Sequence, residues 1–376
     1  MIIPLDVVRA GWVYLCLIVC LCPGVSVAQS RQPVNALYIP LADHYAALVA
    51  YEKYAADMQY ADFSIQQMKS WDLLRGYFNS EDADMAFVMS PLALDMFRKT
   101  RDFRWVGLLH RDGNALAIND ILNQSVGLSN QRSERKPDDK VALAIQRHSQ
   151  ETGTPIRIAV PHQFSTHAVV LYQYLKNNGL SLTVFKKNPA DVLAVPVAPT
   201  KSALFIKSKS NRKTPAGFEQ SLPWAELVES EGYGHIAWYS KDVIKWPNGH
   251  VECIAIAKDQ SLKHKKRAIK EVMNAIHKAG ADIESARLEG GEALMEIIKI
   301  VRKHIPAHTS DAIAASLSPE LNVINYKQLH IDPKGLELIM KLAVEGNVIS
   351  EPVDIDEFIA EDFFNPDFTT VSHAHQ

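Results

Sequence analysis

The stretch VNALYIPLADHYAALVAYEKYA (residues 34–55) sets the reading of this chain. A short apolar run, Val34 to Pro40, breaks off at Asp43, and a run of helical character follows. The same order of events occurs twice more. Phe63 to Met68 (FSIQQM) meets Ser70 before WDLLRGYF, and Met85 to Met89 (MAFVM) meets Ser90 before PLALDMF, where Pro91 opens the helix. Asp and Ser are favoured N-caps because their side-chain oxygens accept orphan helix N–H groups, and Pro suits the first helical position. Strands alternating with helices predict a parallel sheet. Strand ends and helix N-termini then meet along one edge, where a small molecule is held on uncompensated backbone N–H groups.

Upstream of this stretch, residues 1–28 read as a secretion signal. Arg9 supplies the positive flank, Trp12 to Cys22 the apolar run, and Pro23-Gly24 the break, with cleavage predicted after Ala28. The run is about half of the roughly 20 residues that span a bilayer. Val19 and Leu21, each directly before a cysteine, argue against lipidation. Cleavage removes Cys16, Cys20 and Cys22, leaving Cys253 alone. A secreted chain without an internal disulfide must be stable by its core. The net charge of −3 over 376 residues gives no basic patch for nucleic acid.

Downstream, Arg104 to Ile118 reads as two strand-like runs around Arg-Asp-Gly-Asn. A polar stretch to Pro155 reads as a surface loop with a short helix, Val141 to Gln150. A second α/β region opens with the strand Ile156 to Val160 and a helix that Ser165 or Thr166 caps and Asn177-Asn178-Gly179 ends. Strands follow at Leu182 to Phe185 and Tyr233 to Tyr239, and Lys201 to Lys213 reads as a solvated loop. After the turn Trp246-Pro247-Asn248-Gly249 and a strand at Val251 to Ala257, the chain reads as helical. Its helices are Leu262 to Ala279, Asp282 to His304, and Pro333 to Glu345 with Asp332 as cap. A middle block set between two parts of one lobe needs two crossovers, placed near Gly113 to Asn119 and near Trp246 to Val251. The expected division is lobe 1 at 29–116, lobe 2 at 117–248, lobe 1 resumed as a helical block at 249–364, and a mobile tail at 365–376.

Several segments resemble one family. They are IPLADHYAALVAYEKY (39–54), QMKSWDLLRGYF (67–78), ADMAFVMSPLA (83–93), RDGNALAI (111–118), AVPHQFSTHAVVLYQYL (159–175), SLPWAEL (221–227) and SKDVIKWPNGH (240–250). In order and spacing they are similar to the periplasmic substrate-binding proteins of nitrate, sulfonate, taurine and bicarbonate ABC importers. That wider group includes NMT1/THI5-like pyrimidine-precursor binders. The resemblance implies an α/β, two-lobed type II periplasmic binding protein with two crossovers and a helical C-terminal block, its ligand in the interlobe cleft and its hinge closing on binding. It implies a periplasmic monomer that delivers a small polar molecule (a sulfonate, an oxyanion or a nitrogen heterocycle) to an inner-membrane ABC permease. A ligand-sensing subunit that presents its closed form to a membrane kinase or cyclase is the alternative. A THI5-like pyrimidine synthase is a remote one. The chain lacks a nucleophile elbow, a phosphate-cradling loop and a zinc-spaced His/Cys set, so neither catalysis nor a metal nor a cofactor is expected.

The expected ligand-binding residues are His44, Ser70, Trp71, Ser90, Asn114, Thr166, His167, Trp224 and Glu252. Trp71 offers a stacking face and an indole N–H. His44, Ser70, Ser90, Thr166 and His167 sit at helix mouths, Asn114 lies in a crossover, and Trp224 shapes the cleft wall. Glu252 departs from the resemblance, which places a Lys near this point in nitrate-type relatives; Leu222 likewise replaces an acidic residue. A cleft carboxylate repels an anion unless it is protonated or paired, so the expected guest is neutral or partly cationic rather than nitrate.

Overall fold

The computed structural model describes residues 30–80, 83–185 and 188–365. The expected signal segment, and the tail from residue 366 on, lie outside the described residues. In chain order the strands are β1 (Gln32–Tyr38), β2 (Ala61–Gln67), β3 (Met85–Met89), β4 (Phe103–Leu108), β5 (Arg111–Asp112), β6 (Asn114–Ile118) and β7 (Ile156–Val160). They continue with β8 (Leu182–Thr183), β9 (Val192–Pro196), β10 (Ala216–Ser221), β11 (His235–Tyr239), β12 (Cys253–Lys258) and β13 (Ile324–Asn325). Among the described residues there are two large sheets, ordered β2-β1-β3-β12-β4 and β11-β6-β10-β7-β9-β8, and a two-stranded one, β13-β5. β3, β6, β10 and β12 are buried along their whole length, as strands covered on both faces must be.

The three opening strands pair in parallel, β1 lying between β2 and β3. The strands at the crossovers run the other way: β12 is antiparallel to β3 and β4, and β6 to β10 and β11. Each sheet is therefore mixed, because one of its strands enters from the opposite sheet. The boundary expected after residue 116 needs correction, since it falls inside β6. The apolar run after Asn114 pairs with β10 and β11 throughout, so the chain leaves the first sheet between Leu108 and Asn114.

The two crossovers lie side by side. β5 pairs with β13, and Arg111 bridges to Val251. Buried Arg111 meets buried Asp332 at 2.9 Å, and the Trp246 indole N–H donates to the same carboxylate at 3.0 Å. The Trp246 turn closes with Asn248 and Gly249 at positive φ (63° and 92°), and a Cβ on Gly249 would run into the Asp112 carboxylate.

The helical block differs from its expected division. Asp259–Glu289 is two helices joined across a kink at Lys265, the second running on through Gly280, and the next break falls at Gly290, where φ is 66°. Gly280 stays helical because its bare Cα lets Tyr326 O approach: a Cβ there would stand 2.8 Å from it. Lys201 to Lys213 is not a loop. Ser202–Asn211 is helical, with Ile206 buried and the Lys207 and Lys209 ammonium groups set over the Tyr233 and Phe205 rings. The helix Pro333–Glu345, capped by Asp332 as expected, packs on both Ser90–Thr100 and Thr166–Asn177, one helix from each sheet's surroundings. No helix among the described residues is long and apolar enough to cross a membrane.

Candidate functional site

The C-terminal ends of β1, β3 and β4 meet the start of β12 along one edge of the first sheet, as antiparallel insertion requires. Facing them are the start of β6 and the ends of β7 and β10. Polar side chains collect between the two edges. The first contributes Asp43, His44, Ser90, His110, Glu252 and Cys253; the second contributes Asn114, Thr166, His167, Glu219 and Ser221. All are completely buried.

Their contacts cross from one sheet to the other. Ser221 Oγ donates to Asp43 Oδ2 at 2.9 Å and lies 2.9 Å from His167 Nε2. His167 Nδ1 stands 3.6 Å from Glu252 Oε1, and Asn114 Nδ2 donates to that oxygen at 3.4 Å. His110 Nε2 lies 3.2 Å from Glu252 Oε2 and 3.6 Å from Asp43 Oδ2, without the alignment of a hydrogen bond. Backbone bonds fix the same edges: Ser90 N–H donates to Glu252 O, and Ala42 N–H to Leu222 O.

Burial alone would push the His110 imidazole down. The Asp43 and Glu252 carboxylates outweigh it and raise His110 to about 10, so it is a cation at neutral pH. Burial likewise opposes ionisation of Glu252, but His110 and His167 hold it below the usual carboxylate range. Glu219, raised well above that range by burial and then by Glu252, is a neutral acid. Burial lowers His44 to about 4 and lowers His167 as well. The Cys253 thiol is pushed up by burial and then by Glu252 and Asp43.

Many of these groups make no hydrogen bond among the described residues. They include Asp43 Oδ1, His44 Nε2, Trp71 Nε1, Ser90 Oγ, both His110 nitrogens, Thr166 Oγ1, both Glu219 oxygens and Glu252 Oε2. Buried polar atoms normally have partners, so a concentration of lone ones at one sheet-to-sheet junction marks a place for water, an ion or a solute.

The structure gathers most of the expected residues here. His44, Ser90, Asn114, Thr166, His167 and Glu252 belong to the cluster, and buried Trp71 adjoins it through an edge contact to His44, ring centroids 6.2 Å apart. Ser70 is a true N-cap, its hydroxyl accepting from Leu73 N–H, and it sits outside the buried group. Trp224 donates its indole N–H to Pro40 O at 3.1 Å and packs on His308, so its N–H is spent on the scaffold. Two expected caps are corrected. Asp43 sits in a 3-10 turn and makes no cap bond, because its carboxylate faces Ser221 and His110; Ser90 is the first helical residue, capped by nothing of its own. His110, Glu219, Ser221 and the role of Cys253 escaped the sequence reading. None of them stands in a local pattern that marks a site, and only the pairing of strands from distant segments brings them together.

Residues 28–299 match the model of the NMT1-like family. The chain belongs to the NMT1-like family. No curated protein matches it by sequence. Among solved structures, the periplasmic nitrate-binding protein NrtA from Synechocystis PCC 6803 has a TM-score of 0.72 at 15% identity, covering 89% of this chain and 88% of its own. The ligand-binding component of an ABC-type import system from Staphylococcus aureus, with zinc bound, has a TM-score of 0.68 at 19% identity, covering 89% and 98%. The alkanesulfonate-binding protein SsuA from Xanthomonas axonopodis pv. citri, bound to MOPS, has 0.63 at 10% identity, covering 88% and 99%. This NMT1-like chain thus has the two-lobed periplasmic-binding-protein fold, each sheet forming the centre of one lobe. A desulfurization enzyme, DSZB, also shares the fold, so the fold alone does not separate binding from catalysis.

Proposed function

We propose that this NMT1-like protein is a periplasmic solute-binding protein that closes its lobes over one small polar molecule and presents it to an inner-membrane ABC permease. The observation that carries this reading is the sealed junction between the sheets, where uncompensated polar atoms from both lobes converge. Lobe 1 is taken as residues 30–108 with 253–364, and lobe 2 as 114–243. A single chain suffices, because the cluster is complete within one copy.

The solute is neutral or cationic rather than a bare anion. Glu252 and Asp43 stand against the single imidazolium of His110, so an added negative charge would find no free cation in the cluster. Neutral Glu219 and the Trp71 indole offer hydrogen-bond donors to a guest's acceptors. Catalysis is the weaker reading. Cys253, the thiol of the junction, is buried beside two carboxylates, surroundings that suppress a thiolate in the metal-free protein.

Mass spectrometry of the native protein tests the proposal, followed by a thermal-shift panel of amines, pyrimidines, sulfonates and oxyanions. A carried molecule or a panel hit binding one per chain is expected. A panel in which nitrate stabilises as strongly as any other compound would contradict the charge argument, and no binding at all would contradict the function. Neighbouring genes distinguish delivery from sensing: a permease and ATPase for the first, a membrane kinase or cyclase for the second.

A further inference from the structure

Asp43, His110, Glu252 and Cys253 lie in the junction with one donor atom each, all within 4.8 Å of one another. We propose that these four side chains bind a divalent transition-metal ion of the zinc class, so that the solute held between the lobes is, or includes, a metal cation. The inference rests on the reading of the junction as a solute site and narrows its ligand.

Three of the donor pairs already have the spacing that an ion at the centre of the four requires. Tetrahedral zinc sites have bonds of about 2.0–2.3 Å, which set neighbouring donor atoms roughly 3.3–3.8 Å apart. Here His110 Nε2 is 3.2 Å from Glu252 Oε2 and 3.6 Å from Asp43 Oδ2, and Cys253 Sγ is 3.6 Å from Asp43 Oδ2. The donor types fit as well: imidazole, sulfur and carboxylate together suit borderline divalent ions better than magnesium or calcium, which prefer oxygen alone. Binding displaces the Nε2 proton of His110 and the Cys253 thiol proton to solvent, and the two carboxylates with the thiolate then face the dication. Asp43 Oδ1, Glu252 Oε2 and both His110 nitrogens make no hydrogen bond, although all three residues are fully buried.

The outer contacts have the form of a supporting shell. Ser221 and Asn114 donate to the two carboxylates, and His167 adjoins both Ser221 and Glu252. All three supporting residues come from the second sheet's side, whereas all four ligands come from the first lobe or its crossovers. An ion seated in the open first lobe would thus gain its oriented outer partners on closure, coupling binding to lobe movement.

The test is equilibrium dialysis of the whole secreted chain, with His373→Ala and His375→Ala introduced to remove the tail imidazoles, against Zn²⁺ and separately against Co²⁺. Elemental analysis should return one metal per chain, and the Co²⁺ form should show a sulfur-to-metal charge-transfer band. Cys253→Ser should abolish that band, and His110→Gln should weaken retention at least tenfold. Absence of the sulfur band from the Co²⁺-loaded chain, or metal retention unaffected by either substitution, would overturn the inference. If an organic panel compound stabilises the chain while neither metal binds, only this inference fails. If neither metals nor panel compounds bind, the solute-binding reading fails with it.

Discussion

The Trp71 indole N–H is buried without a hydrogen bond among the described residues, and the ring makes an edge contact with His44. Replacing it with Ala should weaken binding of the panel compound that stabilises the protein most by about 1–3 kcal/mol, the range for stacked aromatic contacts. Calorimetry that finds unchanged affinity would remove Trp71 from the site. His110 gives a pH signature in the metal-free protein. Its imidazole rises from 6.5 to about 10 on folding, so the stabilisation is fully present below the lower value and is lost as pH climbs through the upper one. Glu252 acts in the opposite direction: its depressed value makes its contribution present above 4.5 and lost as pH falls below that. Melting temperature should therefore decline from neutral pH towards pH 10, and His110→Gln should flatten that alkaline slope. An identical slope in wild type and variant would contradict the pairing. Of these residues, Trp71 is legible from the sequence because it follows the cap Ser70 at a helix mouth, and Glu252 because it follows the Trp246-Pro247-Asn248 turn. His110 was not: a histidine ending an apolar strand shows nothing of the two carboxylates that other segments bring to it.

Among elements, the caps separate local from tertiary information. Ser70 meets its helix as the sequence predicts, and Ser70→Ala should cost about 1 kcal/mol in denaturant unfolding. Ser90, which makes no cap bond, should lose much less on the same change, and an equal loss at both positions would refute the distinction. At the crossovers, Asp332→Ala strands buried Arg111, and the unfolding free energy should fall by about 3–5 kcal/mol. A change below 1 kcal/mol would show that water reaches the guanidinium. Periodicity and capping made β1 to β4, β7 and the helix Thr166–Asn177 legible. β10 was missed because AGFEQS carries Gly, Glu and Gln at fully buried positions, a pattern no hydropathy reading assigns to a central strand. The expected gap between Ala279 and Asp282 is filled by helix, with Gly280 inside it where the Tyr326 carbonyl approaches closely.

At the scale of the whole molecule, the two sheets are tied by few direct contacts of their own. Ser221 reaches Asp43, His167 approaches Glu252, and Trp224 donates to Pro40 O. Helix Pro333–Glu345 adds packing on both sides, with Lys176 and Glu345 paired at 2.6 Å across its end. An exposed pair of that kind contributes little. The two-sheet plan was visible in the sequence because both crossovers carry turn residues at Asp112-Gly113 and Asn248-Gly249. The antiparallel return strands were not, since strand direction is set by where the chain re-enters a sheet. The proposed function requires the lobes to close over a bound solute. Small-angle scattering should compare protein refolded free of solute with the same protein loaded with its best-stabilising panel compound or metal. The radius of gyration is predicted to fall on loading. An unchanged radius at full one-to-one occupancy would contradict it.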